Sequence, residues 1–290
     1  VAPRIQEIFR SPYPEMLVVF GFVKRLGVVR ILIHGDPKSV HAIATFTFHG
    51  PHAIVAYRKI PLMESLPLVP GEGDVVIKFR ASDLLLWDNA QLRTTFLHEL
   101  LHAYMAYVLP TFTHGILQER ARITQEQSNL LFLTNSFLTP LTHFYLRVAA
   151  WNLGLHNFFI ADLEGAKQWH LGFEDFLHGE KFAVDAPVRT FFTGFCLEIA
   201  LPWWVIGNKE AFADQTDWCI ELFRRCHHTP ENVMQEVRDA KSILADIGAA
   251  CVFEDQGFLK DIDHRQIRKW SQRLLLFDTA ALLASGTATM

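Results

Sequence analysis

The stretch TTFLHELLHAYMAY, residues 94–107, sets two histidines four apart in an apolar run, with a glutamate directly after the first. In a helix, positions i and i+4 share a face, so His98 and His102 point the same way one turn apart. Two imidazoles so placed can ligate one metal ion. Zn²⁺ held by neutral imidazoles keeps a position open for water, lowers that water's pKa, and lets a nearby carboxylate take its proton. This is the logic of the HExxH motif, with Glu99 as general base and not as ligand. The intervening Leu100 and Leu101 anchor such a helix to a core, and Ala103 allows close packing behind it. The same letters also suit a core helix whose histidines are merely hydrogen-bonded, so a third donor decides the matter.

Several residues compete for that place. His114, in TFTHGIL, follows His102 by twelve residues, and a chain that turns back near Pro110 brings it to the metal. His114 is the favoured third ligand. His178, in FLHGEKF, requires residues 110–175 to be an insertion. Glu119 or Glu126, in LQERARITQEQSN, makes a set of two histidines and one glutamate.

Around the motif the pattern changes character. Residues 5–10 and 14–24 read as short amphipathic helices. VVRILIH (28–34) reads as a strand, HAIATFTF and HAIVAYRKI flank HGP as a hairpin, and DVVIKFRA is another strand. Asp88 or Asn89 caps the motif helix, and Pro110 lies near its end. The spacing predicts helices over 115–137 and 140–152, a helix start at Thr229-Pro230-Glu231, and a last helix in HRQIRKWSQRLLLF. The expected fold class is α+β: a small antiparallel sheet packed on the HExxH helix, zincin-like, then a mostly helical second half. A composition shift near residue 185 separates a first unit (1–185) from a helical region (186–277), with a tail at 278–290.

At this point the chain resembles a known family. VVRILIH, HAIVAYRK, VIKFRASDLL and above all TTFLHELLHAY resemble the SprT-like zinc metalloprotease domain, over roughly residues 15–120. The resemblance implies a zinc cofactor on His98 and His102, Glu99 as catalytic base, and a third histidine in a later His-Gly motif, which His114-Gly115 fits by position. Gln118 stands where that motif has an aromatic residue. It also implies a protein or peptide substrate. Association with nucleic acid follows from the family alone, and the family's C-terminal zinc ribbon is missing here.

Composition narrows the function further. Half of the 290 residues are hydrophobic and only 20% are charged, enough for a sizeable core. A net charge of -4 gives no basic field to draw nucleic acid. Four cysteines with no CxxC pair and no Asn-x-Ser/Thr sequon point to a reducing compartment, cytoplasmic or nuclear. FFTGFCLEIALPWWVIG (191–207) is the most membrane-like stretch, yet Glu198 and Pro202 favour a buried helix broken at the proline. No membrane partner is expected. Cys219, Cys226, His227 and His228 read as buried thiols and helix-end histidines, and the basic run around Trp270 as a solvated helix face. The expected function is a zinc-dependent endopeptidase. The alternatives are a catalytically degenerate helical binding or scaffold protein, and a membrane-associated zincin.

Overall fold

A capping box starts the motif helix. Asp88 accepts the backbone N–H of Gln91 at 2.8 Å, and the Gln91 side chain accepts the Asp88 N–H at 3.1 Å. Two of the orphan donors of a helix start are thereby satisfied. The computed structural model describes residues 19, 27–34, 42–48, 73–80, 88–126, 134–178, 188–226, 230–253 and 259–284. The readings of short helices at 5–10 and 14–24 (Val19 apart), of the hairpin strand at 52–60 and of the last tail residues lie outside them.

Three strands precede the motif: β1 (Gly27–His34), β2 (Ala42–Phe48) and β3 (Gly73–Arg80). They pair in the order β1-β3-β2, with β1 parallel to β3 and β2 antiparallel to it. After them come α1 (Asn89–Val108), α2 (Pro110–Glu126), α3 (Thr139–Asn152), α4 (His156–His178), α5 (Val188–Phe195), α6 (Leu201–Val205), α7 (Lys209–Cys226), α8 (Pro230–Ala250) and α9 (His264–Ala284). Two π-helical segments, Thr134–Leu138 and Cys196–Ala200, lead directly into α3 and α6.

This corrects the expected fold class. The sheet is mixed, not antiparallel, and the described hydrophobic core is helical. That core runs from Leu92 to Leu274 and is built by the helices and their connections, with Val19 added. The architecture is a helical assembly with a small sheet at its N-terminal side, not an α+β zincin. The strands themselves fall where β-branched runs place them. Alternation fixes a strand but not its neighbour, and so the sheet order was not legible.

Within the assembly α1 is central, touching β2 and β3, as expected of the motif helix, and also α2, α3 and α4. Leu92, Phe96, Leu97, Leu100, Leu101, Tyr104 and Met105 are buried, a distribution that wraps most of the helix. A more open stripe runs through Gln91, Thr94, Thr95, His98 and His102. Pro110 ends α1 and starts α2, whose first N–H groups are capped from far along the chain. Asp261 accepts Thr111 N–H at 2.9 Å and Phe112 N–H at 2.8 Å. Gly115 then lets α2 approach α9, where a Cβ would stand 2.8 Å from Ile267 Cδ1 and 2.9 Å from the His264 Cα.

Both π segments sit just ahead of a proline, Pro140 or Pro202. Proline has no N–H and its ring excludes the carbonyl four residues back, so the helix widens there. At Pro202 the residue four back is Glu198. Its carbonyl accepts instead a hydrogen bond from Arg147 Nη1 at 3.0 Å. The stretch 191–207 is thus an interrupted helix with buried Glu198 inside it, and no helix among the described residues is long and apolar enough to cross a membrane.

Candidate metal centre

His98 and His102 leave α1 on its more open stripe, and α3 supplies a third ring, His143. The ligand atoms of the three all lie within 4.8 Å of one another, making a group that can hold a metal ion. Ring centroids are 4.8 Å apart for His98 and His102, 5.0 Å for His98 and His143, and 5.5 Å for His102 and His143. The Nε2 atoms of His98 and His102 are 3.1 Å apart. Two nitrogens about 2.0–2.1 Å from one tetrahedral ion stand about 3.3 Å apart, so this pair is close to the spacing of a shared ligand shell.

Buried carboxylates fix the rings from behind. His98 Nδ1 meets Asp162 Oδ1 at 2.7 Å, from α4. His143 Nδ1 meets Glu198 Oε1 at 2.5 Å. An ionised carboxylate only accepts, so each ring carries its proton on Nδ1 and keeps an Nε2 lone pair facing inward. Carboxylate partners of this kind orient metal-binding imidazoles and raise their basicity. Arg147 joins the two supports, giving its Nε to Asp162 Oδ2 at 2.8 Å and its Nη1 to the Glu198 carbonyl. His170, on α4, gives Nε2 to the other Glu198 oxygen at 2.7 Å.

The electrostatics follow from this wiring. Burial alone raises the carboxyl pKa of Asp162, but Arg147 and His98 outweigh it and hold Asp162 well below the usual range. At Glu198 burial is again outweighed, here by His143 and His170. Burial works against a charge on His98, yet Asp162, with help from Glu99, leaves its pKa raised. His102 has no such support. Burial first, then the neighbouring His98 and His143, push it well below its ordinary 6.5, so its ring is neutral. His143 is also lowered, by burial that Glu198 only partly offsets.

The centre opens on a cavity of about 1320 Å³ between α1, α3, α4 and α5. His98 and His143 line it, along with Thr94, Thr95, Phe191 and Phe195. Its lining mixes apolar residues such as Phe191 and Phe195 with the charged Arg147, Asp162 and Glu198.

His98 and His102 stand together as the motif spacing requires. The third ring does not come from His114. That residue sits on α2 beside Gly115, where α2 packs on α9, and it is not part of the converging group among the described residues. The His-Gly pair that drew attention to it is explained by a helix contact, in which glycine removes the Cβ that would strike α9. Glu119 is committed elsewhere, to Arg122 at 2.5 and 3.0 Å. The side chains of Glu126 and His178 lie outside those described. Glu99 is buried, with 7% of its surface exposed, and is not among the residues that line the cavity.

Sequence reasoning missed His143, Asp162, Arg147, His170 and Glu198. One signal was available: Glu198 is a lone acid in an apolar stretch with no local cation, and such a residue needs a distant partner. No protein-family model, no curated protein and no solved structure matches this chain.

Proposed function

We propose that the chain is a zinc-dependent peptidase in which His98, His102 and His143 hold the metal and Glu99 is the general base. The observation that carries this reading is the pairing of His98 with Asp162 and of His143 with Glu198. It leaves two Nε2 lone pairs turned toward neutral His102. Three imidazoles, two of them held by carboxylates, suit the donor set of hydrolytic zinc. The metal, when bound, acidifies a water and polarises a carbonyl. The protein's own residues hold it, exclude bulk solvent on the buried side, and offer Glu99 beside His98 to take a proton and return it to the leaving amine. The peptide-bond substrate is carried over from the SprT-like resemblance of TTFLHELLHAY. A cytoplasmic or nuclear location belongs to the same reading, and Cys196, Cys219 and Cys251 are free and buried, as in a protein kept reduced.

A second reading, a structural metal centre in a binding or scaffold protein, is favoured by one fact. Glu99 is buried away from the cavity lining. Metal analysis and proteolysis separate the two. The peptidase reading expects one zinc per chain, lost in His98→Ala and His143→Ala, and cleavage of denatured casein that disappears in Glu99→Gln with zinc retained. Zinc bound without any cleavage by the intact protein selects the scaffold. No bound zinc overturns both.

A further inference from the structure

Glycine inside a helix needs a reason, because it gives up more chain entropy than any other residue and packs nothing. Gly115, Gly194 and Gly248 have one: a Cβ there would strike Ile267, the Ser136 carbonyl or the Trp204 ring. Gly165, inside α4, has no such neighbour. A Cβ built on it meets nothing within 4 Å. Nor is its φ positive, since among the described residues only Gly154 and Gly207 have that conformation. Neither packing nor backbone conformation calls for glycine at this position. What remains is the space in front of it.

That space is the cavity of the candidate metal centre. Gly165 lines it together with His98 and His143. It follows Asp162 by three residues on α4, so it shares a side of the helix with the carboxylate that holds His98. Ala161, one turn before it, and Phe191 of α5 line the same volume. A side chain at position 165 would occupy the cavity instead of packing on protein.

The charged residues of the lining set the character of what can enter. Both oxygens of Asp162 are taken, by His98 and Arg147, and both of Glu198, by His143 and His170. Arg147 is itself paired with Asp162 and bound to the Glu198 carbonyl. A charged group entering the cavity would compete with pairs already made, and its lost hydration would go uncompensated. A bulky uncharged group meets Ala161 and Phe191 and leaves those pairs intact. We propose that Gly165 is a specificity-determining residue, whose missing side chain leaves room beside the metal for a large apolar side chain of the substrate. The choice of a peptide as that substrate rests on the peptidase reading; the open volume at Gly165 does not.

The test uses the zinc-loaded full chain and two zinc-chelating hydroxamates, so that it reads the cavity whether or not peptides are cut. Acetohydroxamic acid carries only a methyl group, and phenylacetohydroxamic acid carries a large apolar arm. By calorimetry the parent is expected to bind the aromatic probe about tenfold more tightly than the small one. Gly165→Leu is expected to lose about tenfold for the aromatic probe and to stay within about twofold for acetohydroxamic acid, with zinc stoichiometry unchanged. Gly165→Ala is expected to lose less, and to raise the urea midpoint of the metal-free protein, since it adds a methyl group in open space and favours the helix. Equal affinity of the parent for both hydroxamates overturns the proposal with no variant involved. A Gly165→Leu protein that keeps parent affinity for the aromatic probe also overturns it, as does one that weakens both probes alike and so acts on the metal and not on side-chain space. A lowered urea midpoint in Gly165→Ala overturns it as well, because the glycine then serves packing. Zinc content and casein cleavage are read separately. Zinc bound without cleavage fails the peptidase reading, while the hydroxamate titrations still decide the role of Gly165.

Discussion

Glu198 stands 55 residues from His143 in sequence and accepts its Nδ1 proton at 2.5 Å, while its second oxygen takes the Nε2 proton of His170. One acid in the middle of an apolar stretch thereby orients a ring of the candidate metal centre. Glu198→Leu removes both acceptors and leaves His143 free to turn. Zinc affinity, measured against a competing chelator, is expected to fall about 10- to 100-fold, the usual effect of losing a carboxylate behind a metal-bound imidazole. Glu198→Gln keeps one acceptor and is expected to lose less. Equal zinc affinity in Glu198→Leu and the parent would falsify the role assigned to this carboxylate.

Local features were legible and long-range ones were not. Asp88 as cap, Pro110 as the break after the motif helix, Pro230 at the first turn of α8 and the β-branched strands are written in neighbouring residues. His98 and His102 belong to the same class, since a helix sets their relation within one turn. His143 lies 41 positions beyond His102, and nothing nearby marks it as a ligand. Its partner Glu198 is brought back by the packing of α3 against the π segment Cys196–Ala200, a tertiary relation that no local pattern encodes. His114 misled because a His-Gly pair has two physical uses, and here the glycine serves helix packing.

Gly194 is where α5 meets the π segment Thr134–Leu138, and a Cβ there would run into the carbonyl oxygen of Ser136. A backbone oxygen cannot move aside without shifting the segment that leads into α3 and His143. Gly194→Ala is expected to cost about 1–3 kcal/mol of stability through overpacking. Urea unfolding of the metal-free protein measures it, and a loss below about 0.5 kcal/mol contradicts the close approach.

The metal-free protein should lose stability in acid in two steps. Burial lowers the pKa of His102 and His143, so below about 6.5 the unfolded chain binds protons there that the folded one does not. Asp162 and Glu198 are held below the usual carboxylate range by their cationic and histidine partners. Their contribution is present above about 4 and is lost as pH falls through the folded values. His98 works in the other direction. Its raised pKa stabilises below about 6.5, and that contribution disappears as pH rises past the folded value. Urea midpoints recorded with chelator present are therefore expected to peak near neutral pH. Asp162→Asn should blunt the lower acid step. A single acid step centred near pH 4 removes the assignment of His102 and His143 as neutral buried rings.

Asp261 reaches from the chain just before α9 to cap α2, accepting the N–H groups of Thr111 and Phe112. Asp261→Ala leaves both donors without that acceptor at a helix start. A loss of about 1 kcal/mol is expected, within the range of helix-cap removals. The zinc stoichiometry should not change, since the cap lies on α2 and not on a helix bearing His98, His102 or His143. Loss of zinc in this variant means that the end of the chain helps to shape the centre.

The sharpest contrast is between His114→Ala and His143→Ala. Both histidines follow the motif in sequence, and only His143 comes within the converging group. Removing His143 leaves two imidazoles on one helix and exposes Glu198 and His170 to a vacancy. Zinc is expected to be lost from His143→Ala on dialysis, and any peptidase activity with it. His114→Ala should keep one zinc per chain and the parent activity, because the replaced ring lies on the helix that meets α9. Metal analysis after dialysis, with thermal unfolding to check that both variants fold, reads the difference. Retained zinc in His143→Ala with loss in His114→Ala returns the third ligand to α2 and removes the centre described above.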